Sequence, residues 1–314
     1  MRDAFVKTLL EEAKKDESIV LITGDLGFGV LDEFQKELPN QFINSGINEQ
    51  AMMGMAAGIA STGKRVFVYS IGNFPTLRCL EQIRNDVCLM NNSVVVVSVG
   101  AGYAYGPQGY THHAIEDIAV MRALPNLEVV VPADPIEVTQ ITRILANSKA
   151  PGYFRLGKSN EQILIKEKTA IEYGKINEIL SGTDGAILFA GSIGKLALEA
   201  RELLANKGIS VSVASVPFIS NLDLEYLRAA ARKGPIVTLE EHANRGGFGS
   251  SVLEFLNKEG IFASVGLVAA GRHNLSQIGS QEFLRQANGI DAVSVASKFL
   301  ALLELENQGD NRFV

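Results

Sequence analysis

An acidic residue at the start of a small-residue helix is the first position in this chain whose type and setting suit chemistry. Glu49 opens the segment EQAMMGMAAGIA, which follows the short apolar run QFIN. Gly54 and Gly58 keep that predicted helix thin, so another group can pack closely against it. One explanation is ordinary helix electrostatics, because acidic side chains stabilise helix N-termini. The alternative is a carboxyl group that takes part in proton transfer.

Three more segments place polar or aromatic residues just after apolar runs. TGDLGFGV, residues 23–30, is a glycine-rich turn, but its GDLGFG spacing matches neither a dinucleotide-binding nor a P-loop fingerprint. Phe74 follows RVFVYS and precedes a predicted helix, where an aromatic residue is most often part of the core. YFRLGKSN carries Arg155 and Lys158, which are either phosphate ligands or surface cations.

A long loop, GAGYAYGPQGYTHHAIEDIAV, follows the apolar run SVVVVSV. Its length and its content of glycine and tyrosine predict a functional role, because such loops are seldom mere connections. The pair His112 and His113 is a poor metal site, since adjacent residues of extended chain point in opposite directions and no other ligands cluster nearby. We expect no metal ligands from this chain.

The elements that must position these residues alternate along the chain. Strand-like apolar runs are separated by helix-period segments, which predicts an α/β fold of two doubly wound domains with mainly parallel sheets. Ligands of such sheets bind outside the carboxyl ends of the strands, where the candidate residues stand. The expected domains are residues 1–165 and 186–314, joined by a polar linker over 166–185.

Composition excludes several classes of protein. Of 314 residues, 46% are hydrophobic and 20% charged, which is typical of a globular protein, and the net charge of -6 argues against nucleic acid as a partner. Cys79 and Cys88 form no CxxC pair and are predicted to be buried thiols. The N-terminal segment indicates an amphipathic helix and no apolar run reaches membrane-spanning length, so we expect a cytoplasmic protein without membrane contact.

Two sets of motifs carry a family resemblance. GINEQAMMGMAAGIA, with a Glu-Gln pair opening a helix rich in Gly and Ala, resembles the pyrimidine-domain motif of transketolases and deoxyxylulose-phosphate synthases. GSIGKLALEA and LEEHANRGGFGSSVLEF resemble the transketolase C-terminal domain, in which we interpret His242 as structural. The resemblance covers almost the whole chain and implies a thiamine-diphosphate enzyme, with a pyrimidine-binding domain followed by a transketolase C-terminal domain.

The resemblance implies roles for particular residues near the cofactor. In the family, the glutamate matching Glu49 hydrogen-bonds N1′ of the aminopyrimidine ring, whose amino group then acts as a base. Phe74 is expected to stack on that ring. Asp25 and Leu26 match an Asp-Leu pair that approaches the cofactor at the subunit interface. His112 matches the histidine of a Thr-His-Gln ending, which handles a substrate oxygen, so we expect it to be catalytic.

The resemblance also implies a substrate site. The family places a phosphate-binding arginine in the segment of Arg155, and Lys158 lies close to it in sequence. Gln108 stands where sugar-phosphate transketolases usually carry an aspartate that reads a donor hydroxyl. SVGAG also lacks the histidine that follows this strand in ordinary transketolases. We expect Gln108, His112, Arg155 and Lys158 to contact the substrate, and both departures predict a specialised sugar.

The chain carries no GDG…N motif, through which the family holds a divalent ion and the cofactor's diphosphate. This predicts the beta-type subunit of a split transketolase, which transfers a two-carbon ketol unit between sugars or sugar phosphates. A separate diphosphate-domain subunit would hold the Mg²⁺ in a 2:2 heterotetramer. The alternatives are the beta subunit of a 2-oxoacid dehydrogenase, a deoxyxylulose-phosphate-synthase-like enzyme, or a non-catalytic relative. The Glu49-Gln50 pair and the THH sequence favour transketolase.

Overall fold

The computed structural model of the chain describes residues 1–159, 161–166, 169–271 and 276–310, with side chains described up to residue 306. Within these residues the strands form two sheets of six and five strands. A six-stranded parallel sheet and a second, mostly parallel sheet confirm the predicted α/β fold class. No helix in this part of the chain is long and apolar enough to cross a membrane.

The first sheet has the order β2-β1-β3-β4-β6-β5 and all its pairings are parallel. The central strand β4 is valine-rich and buried along its whole length, as expected for a strand covered by helices on both faces. The strands are β1 (Ile19–Thr23), β2 (Phe42–Asn44), β3 (Arg65–Ile71), β4 (Val94–Val99), β5 (Glu128–Val130) and β6 (Gly152–Leu156). The helices are α1 (Arg2–Ala13), α2 (Asp32–Glu37), α3 (Glu49–Ala60), α4 (Leu80–Gln82), α5 (Asp117–Arg122) and α6 (Pro135–Asn147).

The second sheet has the order β11-β10-β8-β9-β7, in which β7 is the antiparallel edge strand. Its strands are β7 (Asn177–Leu180), β8 (Ala186–Ala190), β9 (Ser212–Ser215), β10 (Ile236–Ala243) and β11 (Val265–Ala270). The helices around it are α7 (Gly194–Ala205), α8 (Leu224–Lys233), α9 (Phe248–Lys258), α10 (Gln281–Ala287) and α11 (Ala292–Asp310).

Two local predictions differ from the structure. The stretch 166–185, predicted as a linker, contains the edge strand β7. The short sequence NEIL gives only a weak strand signal, because only one face of an edge strand needs apolar residues. The helix predicted to follow Phe74 is instead a 3₁₀ turn, Leu77–Cys79, then the short α4 and a π-helical segment, Ile83–Leu89.

The two cysteines lie in this irregular helical segment or at its start. Cys79 and Cys88 are both buried and free, which confirms their prediction as buried thiols. Burial raises the pKa of the Cys79 thiol to about 12 and that of Cys88 to about 11. Neither thiol is therefore a nucleophile at neutral pH, because the thiolate is the reactive form.

Candidate active site

Glu49 is the first residue of α3 and its side chain is buried. Asn48 caps the helix, since its Oδ1 accepts a hydrogen bond from the backbone N–H of Ala51 at 3.2 Å. The Glu49 carboxylate accepts a hydrogen bond from Nη1 of Arg78 at 2.7 Å. A buried carboxylate at a helix N-terminus, with one arginine as its partner, is thus the acidic group of the site.

Phe74 lies in the turn that follows β3. Its ring is half-buried, with the guanidinium carbon of Arg78 4.4 Å from the ring centroid. The ring of His112 approaches it edge-on, with 5.2 Å between centroids. Asn73 connects this turn to the loop between β4 and α5, residues 100–116, which carries both histidines and is called the histidine loop below. Its Nδ2 donates to the carbonyl oxygen of His113 at 2.9 Å. Phe74, Arg78 and His112 therefore form one continuous group beside Glu49.

The structure separates the two adjacent histidines. His112 is half-buried, and its Nδ1 is hydrogen-bonded to Thr111 Oγ1 at 3.0 Å. His113 is buried, its Nε2 donates to the carbonyl oxygen of Gly106 at 3.1 Å, and its ring packs edge-on against Tyr103. His112 is consequently the histidine able to meet a ligand, while His113 holds the loop.

A cavity of about 380 Å³ lies next to Phe74. Its polar wall includes the Tyr110 hydroxyl, which donates to the Glu116 carboxylate at 2.8 Å. The residues that line it are Asn73, Phe74, Leu77, Arg78, Tyr110, Thr111 and Glu116. The volume lies within the range of small-molecule sites, so this cavity can accommodate a ligand beside the Phe74 ring.

The glycine-rich turn after β1 lies beside the same helix start. A side chain at Gly24 would approach Cγ of Glu49 to 3.9 Å. Asp25 is exposed in the left-handed region, with φ of 56°, and its Oδ1 accepts from Nδ2 of Asn44 at 3.1 Å. Leu26 is half-buried, and its carbonyl oxygen accepts from the Thr23 hydroxyl at 3.1 Å. Asp25 and Leu26 thus stand on the turn next to Glu49, with the Asp25 carboxylate open to solvent.

Arg155, predicted to bind a substrate phosphate, is instead bound by groups of its own chain in this structure. Its side chain is 2% exposed, and its Nε donates to Oδ2 of Asp117 at 2.6 Å. Nη2 donates to the carbonyl oxygens of Ala114 at 2.7 Å and Glu241 at 3.0 Å. The guanidinium is therefore largely covered by protein and held through Nε and Nη2 by its own chain, which does not favour a role as the phosphate ligand.

The other two predicted substrate residues remain exposed. Gln108 ends a 3₁₀ turn in the histidine loop. The Lys158 ammonium lies 4.9 Å from the centroid of the Tyr105 ring, and that ring is 6.3 Å from the His112 ring. Lys158 lines a second cavity of about 380 Å³, together with Lys195 and Arg285. Tyr105 therefore separates Lys158 from the group formed by Phe74 and His112.

Strand β10 of the second sheet contacts the histidine loop through Glu241. Glu241 on β10 accepts from the backbone N–H of Tyr103 at 2.5 Å and from Nε of Arg285 at 2.7 Å. Glu240 accepts from the backbone N–H of Phe248 at the start of α9 at 2.6 Å. That helix N-terminus is therefore occupied by a carboxylate of the chain itself and is not an open anion site. His242 is buried and accepts from the backbone N–H of Ala119 at 3.3 Å, as expected for a structural residue.

The sequence did not predict a role for Arg78, because its only local signal is weak. It stands four residues after Phe74 in a segment that predicts a helix, a spacing that places two side chains on one face. If the side chain of Arg78 is turned away, Glu49 and Phe74 present a buried hydrogen-bonding carboxylate and an aromatic face. That pair fits a flat nitrogen heterocycle such as an aminopyrimidine. Among the described residues no group of three or more His, Cys, Asp or Glu could hold a metal ion.

Comparison with known proteins identifies both halves of the chain. The family described as "Transketolase, pyrimidine binding domain" matches residues 1–162, and "Transketolase, C-terminal domain" matches residues 174–293. An apulose-4-phosphate transketolase subunit of Phocaeicola vulgatus is 38% identical over 82% of this chain and 83% of its own length. The putative transketolase C-terminal section of Methanocaldococcus jannaschii is 34% identical over 98% of this chain and 97% of its own length.

Two further comparisons concern the fold and the length. A structure described as "Split gene transketolase, inactive beta4 tetramer" matches with a TM-score of 0.87 and 34% identity, over 97% of this chain and 98% of that one. The 1-deoxy-D-xylulose-5-phosphate synthase of Syntrophotalea carbinolica is 34% identical over 93% of this chain, but only 46% of its own length is covered. The chain thus spans 83% to 98% of the two transketolase relatives and the split-gene structure, and about half of that synthase.

Proposed function

The chain belongs to the transketolase family, and from that premise we propose that it is the beta-type subunit of a split transketolase. With a separate diphosphate-domain subunit, it transfers a two-carbon ketol unit between sugars or sugar phosphates. The observation that carries the proposal is the buried Glu49 carboxylate beside the Phe74 ring, in a chain that matches only the pyrimidine-binding and C-terminal domains. That combination is one half of a cofactor site.

Five candidate residues of this chain have defined tasks in the proposed reaction. Thiamine diphosphate, when bound, supplies the group that stabilises a carbanion. Glu49 holds a proton at N1′ of the aminopyrimidine ring, Phe74 supports the ring face, and Asp25 and Leu26 border the same helix start. His112, half-buried beside Phe74, transfers a proton to or from a substrate oxygen.

The proposed substrate is a sugar phosphate. Two relatives named as subunits of apulose-4-phosphate transketolase, from Phocaeicola vulgatus and Actinobacillus succinogenes, support this class. Because Arg155 is buried against Asp117, the phosphate contact falls to Lys158, which is exposed and lines a cavity with Lys195. Gln108, exposed on the histidine loop, reads a sugar hydroxyl.

The proposed partner is a cytoplasmic diphosphate-domain subunit that brings the Mg²⁺ and completes a 2:2 heterotetramer. Two large apolar side chains next to the site support a docking surface there, since Phe28 is 79% exposed and Ile47 is 80% exposed. Phe28 stands on the turn after β1, and Ile47 is two residues before Glu49. The related split-gene protein described as an inactive beta4 tetramer supports the need for a second kind of subunit.

The experiment that tests this function is calorimetric titration of magnesium thiamine diphosphate. The chain is titrated alone and after co-purification with the product of the neighbouring gene. We expect binding only in the mixture, followed by ketol transfer between sugar phosphates. Tight binding and turnover by the chain alone would contradict the proposal.

A variant pair assigns the activity to Glu49. In the assembled enzyme, Glu49→Gln removes the proton-holding carboxyl, and we expect the rate to fall by about 10²- to 10⁴-fold. Glu81→Gln changes an exposed carboxylate in the neighbouring helix and should leave the rate unaltered. Undiminished activity of Glu49→Gln would favour a non-catalytic relative.

The synthase relatives define a second candidate. Identity of 34% over 93% of this chain to a 1-deoxy-D-xylulose-5-phosphate synthase favours testing pyruvate as the donor. The same assembly is therefore assayed with pyruvate and an aldose phosphate. Release of carbon dioxide without ketol transfer would assign the chain to a synthase-like or 2-oxoacid-dehydrogenase-like reaction.

A further inference from the structure

Arg78 makes both of the contacts that an aminopyrimidine ring would need at this site. Its Nη1 donates to Oε2 of Glu49 at 2.7 Å, and its guanidinium carbon lies 4.4 Å from the centroid of Phe74. A guanidinium is planar, donates N–H groups in its plane and stacks on aromatic rings. It therefore presents to Glu49 and Phe74 the same kind of donor edge and flat face as a protonated aminopyrimidine.

The Glu-Gln pair at the start of α3 holds Arg78 at two points. Glu49 binds its guanidinium, while Nε2 of the next residue, Gln50, donates to its backbone carbonyl oxygen at 3.1 Å. The backbone of Arg78 is thus fixed over the helix start while its side chain reaches the carboxylate. This arrangement aims the guanidinium at Glu49.

The ion pair between Arg78 and Glu49 can break at a small cost in free energy. The Arg78 side chain is 48% exposed, and ion pairs that are open to water contribute little free energy. Arg78 also lines the cavity that contains Tyr110 and Glu116, so its side chain has space beside Phe74 into which it can turn. The backbone contact to Gln50 involves no side-chain atom of Arg78 and survives that rotation.

We infer that Arg78 is a clamp that occupies the place of the cofactor's aminopyrimidine ring and competes with it for Glu49 and Phe74. A ring that hydrogen-bonds Glu49 and stacks on the same face of Phe74 meets the guanidinium, so the clamp must open before the ring binds. The clamp keeps the buried carboxylate paired until the cofactor arrives, since an unpaired buried charge is unfavourable. This inference rests on the proposed function.

The test compares full-length assemblies of this chain with its partner subunit. Arg78→Met removes the charge and the planar donor group but keeps an unbranched apolar side chain. In calorimetry, the Arg78→Met assembly should bind magnesium thiamine diphosphate about 3- to 10-fold more tightly than the wild type, because no guanidinium has to be displaced. The gain should shrink at high salt, where the ion pair of the wild type is screened.

Two controls test whether the gain in affinity concerns the aminopyrimidine ring of the cofactor. Magnesium pyrophosphate, which lacks the ring, should bind the wild-type and Arg78→Met assemblies equally. Arg84→Met changes an exposed arginine of the same helical segment, whose Nη1 donates to Asn85, and should bind thiamine diphosphate like the wild type. If Arg78→Met unfolds, Arg78→Lys replaces it, and we expect an affinity between those of the wild type and a clamp-free site.

The outcomes separate the clamp from the proposed function. Binding by the wild-type assembly with equal or weaker binding by Arg78→Met would overturn the clamp and leave the proposed function intact. A tighter pyrophosphate complex in Arg78→Met would also overturn it, because the effect would then not concern the ring. Failure of the wild-type assembly to bind thiamine diphosphate would remove the proposed function, and the clamp with it.

Discussion

Asp117 at the start of α5 and Arg155 on β6 form an ion pair that lies inside the protein, with 2.6 Å between Oδ2 and Nε. Burial, the largest single effect, raises the pKa of Asp117, but the Arg155 guanidinium, together with His242 and the Tyr153 hydroxyl, holds the pKa below its ordinary value. The Tyr153 hydroxyl donates a hydrogen bond to the same carboxylate. The pair joins the end of the histidine loop to the central sheet and to the carbonyl oxygen of Glu241 on β10.

Removal of one partner of this pair should destabilise the chain strongly. Arg155→Met leaves the Asp117 carboxylate buried without a cation, which typically costs about 3–5 kcal/mol of unfolding free energy. Chemical denaturation followed by circular dichroism measures the loss. Arg143→Met is the matched control, because its side chain is 47% exposed and pairs with Glu11 at 3.3 Å, and it should change stability by less than about 1 kcal/mol. A stable Arg155→Met protein with a raised KM for a phosphorylated sugar would restore Arg155 as a substrate ligand.

The two adjacent histidines should respond to substitution in opposite ways. His112→Asn removes a half-buried ring that packs against Phe74, so the assembled enzyme should lose about 10²-fold or more in kcat with little change in Tm. His113→Asn removes the buried ring that donates to Gly106, and should lower the unfolding free energy by about 1–3 kcal/mol. Steady-state kinetics and thermal unfolding on both variants check this. A catalytic defect confined to His113→Asn would mean that the roles are exchanged.

A buried carboxyl group at the junction of the two sheets should make stability depend on pH. Glu137 on α6 accepts from Asn177 of β7 at 2.8 Å and from Ser215 of β9 at 3.1 Å. Burial, with a smaller contribution from the charge of Asp134, raises its pKa from 4.5 to about 7. The folded state therefore holds this proton more tightly than the unfolded state. The resulting stabilisation is complete below the ordinary pKa and is lost as the pH rises through about 7.

The measurement is the unfolding free energy between pH 4.5 and pH 8 for the wild type and for Glu137→Gln. The wild type should lose about 3 kcal/mol relative to the variant across this range, because one pKa unit corresponds to about 1.4 kcal/mol. Glu172→Gln, an exposed carboxylate in the segment before β7, should run parallel to the wild type. Parallel curves for wild type and Glu137→Gln would show that the proton is bound equally in both states.

The two buried thiols should resist modification in the folded protein. Burial raises the pKa of Cys79 to about 12 and that of Cys88 to about 11, so almost no thiolate forms at neutral pH. A chromogenic disulfide reagent should label neither thiol on mixing with native protein and both after addition of denaturant. Rapid labelling of one thiol in the native protein would show that the helical segment after Phe74 opens locally.

Much of the architecture is determined by local sequence. Alternating apolar runs and helix-period segments predict the α/β class because each strand and helix must bury its own apolar face. The burial of β4 follows directly from an unbroken run of valine and serine. Glu49 also stands at a helix start for local reasons, since Asn48 caps α3 and the small residues after it favour close packing. Family resemblance then gives the type of reaction.

The contacts of Arg155 and Arg78, in contrast, are determined by tertiary structure. Arg155 looks like a phosphate ligand in the sequence YFRLGKSN, yet it is buried by Asp117, 38 residues earlier, and by the backbone of Glu241, 86 residues later. Arg78 carries no strong local signal, yet it meets Glu49, 29 residues before it, because β2, β1 and β3 are neighbours in the sheet. A long cationic side chain takes its role from whichever segments cover or face it, and those segments come together only when the chain folds.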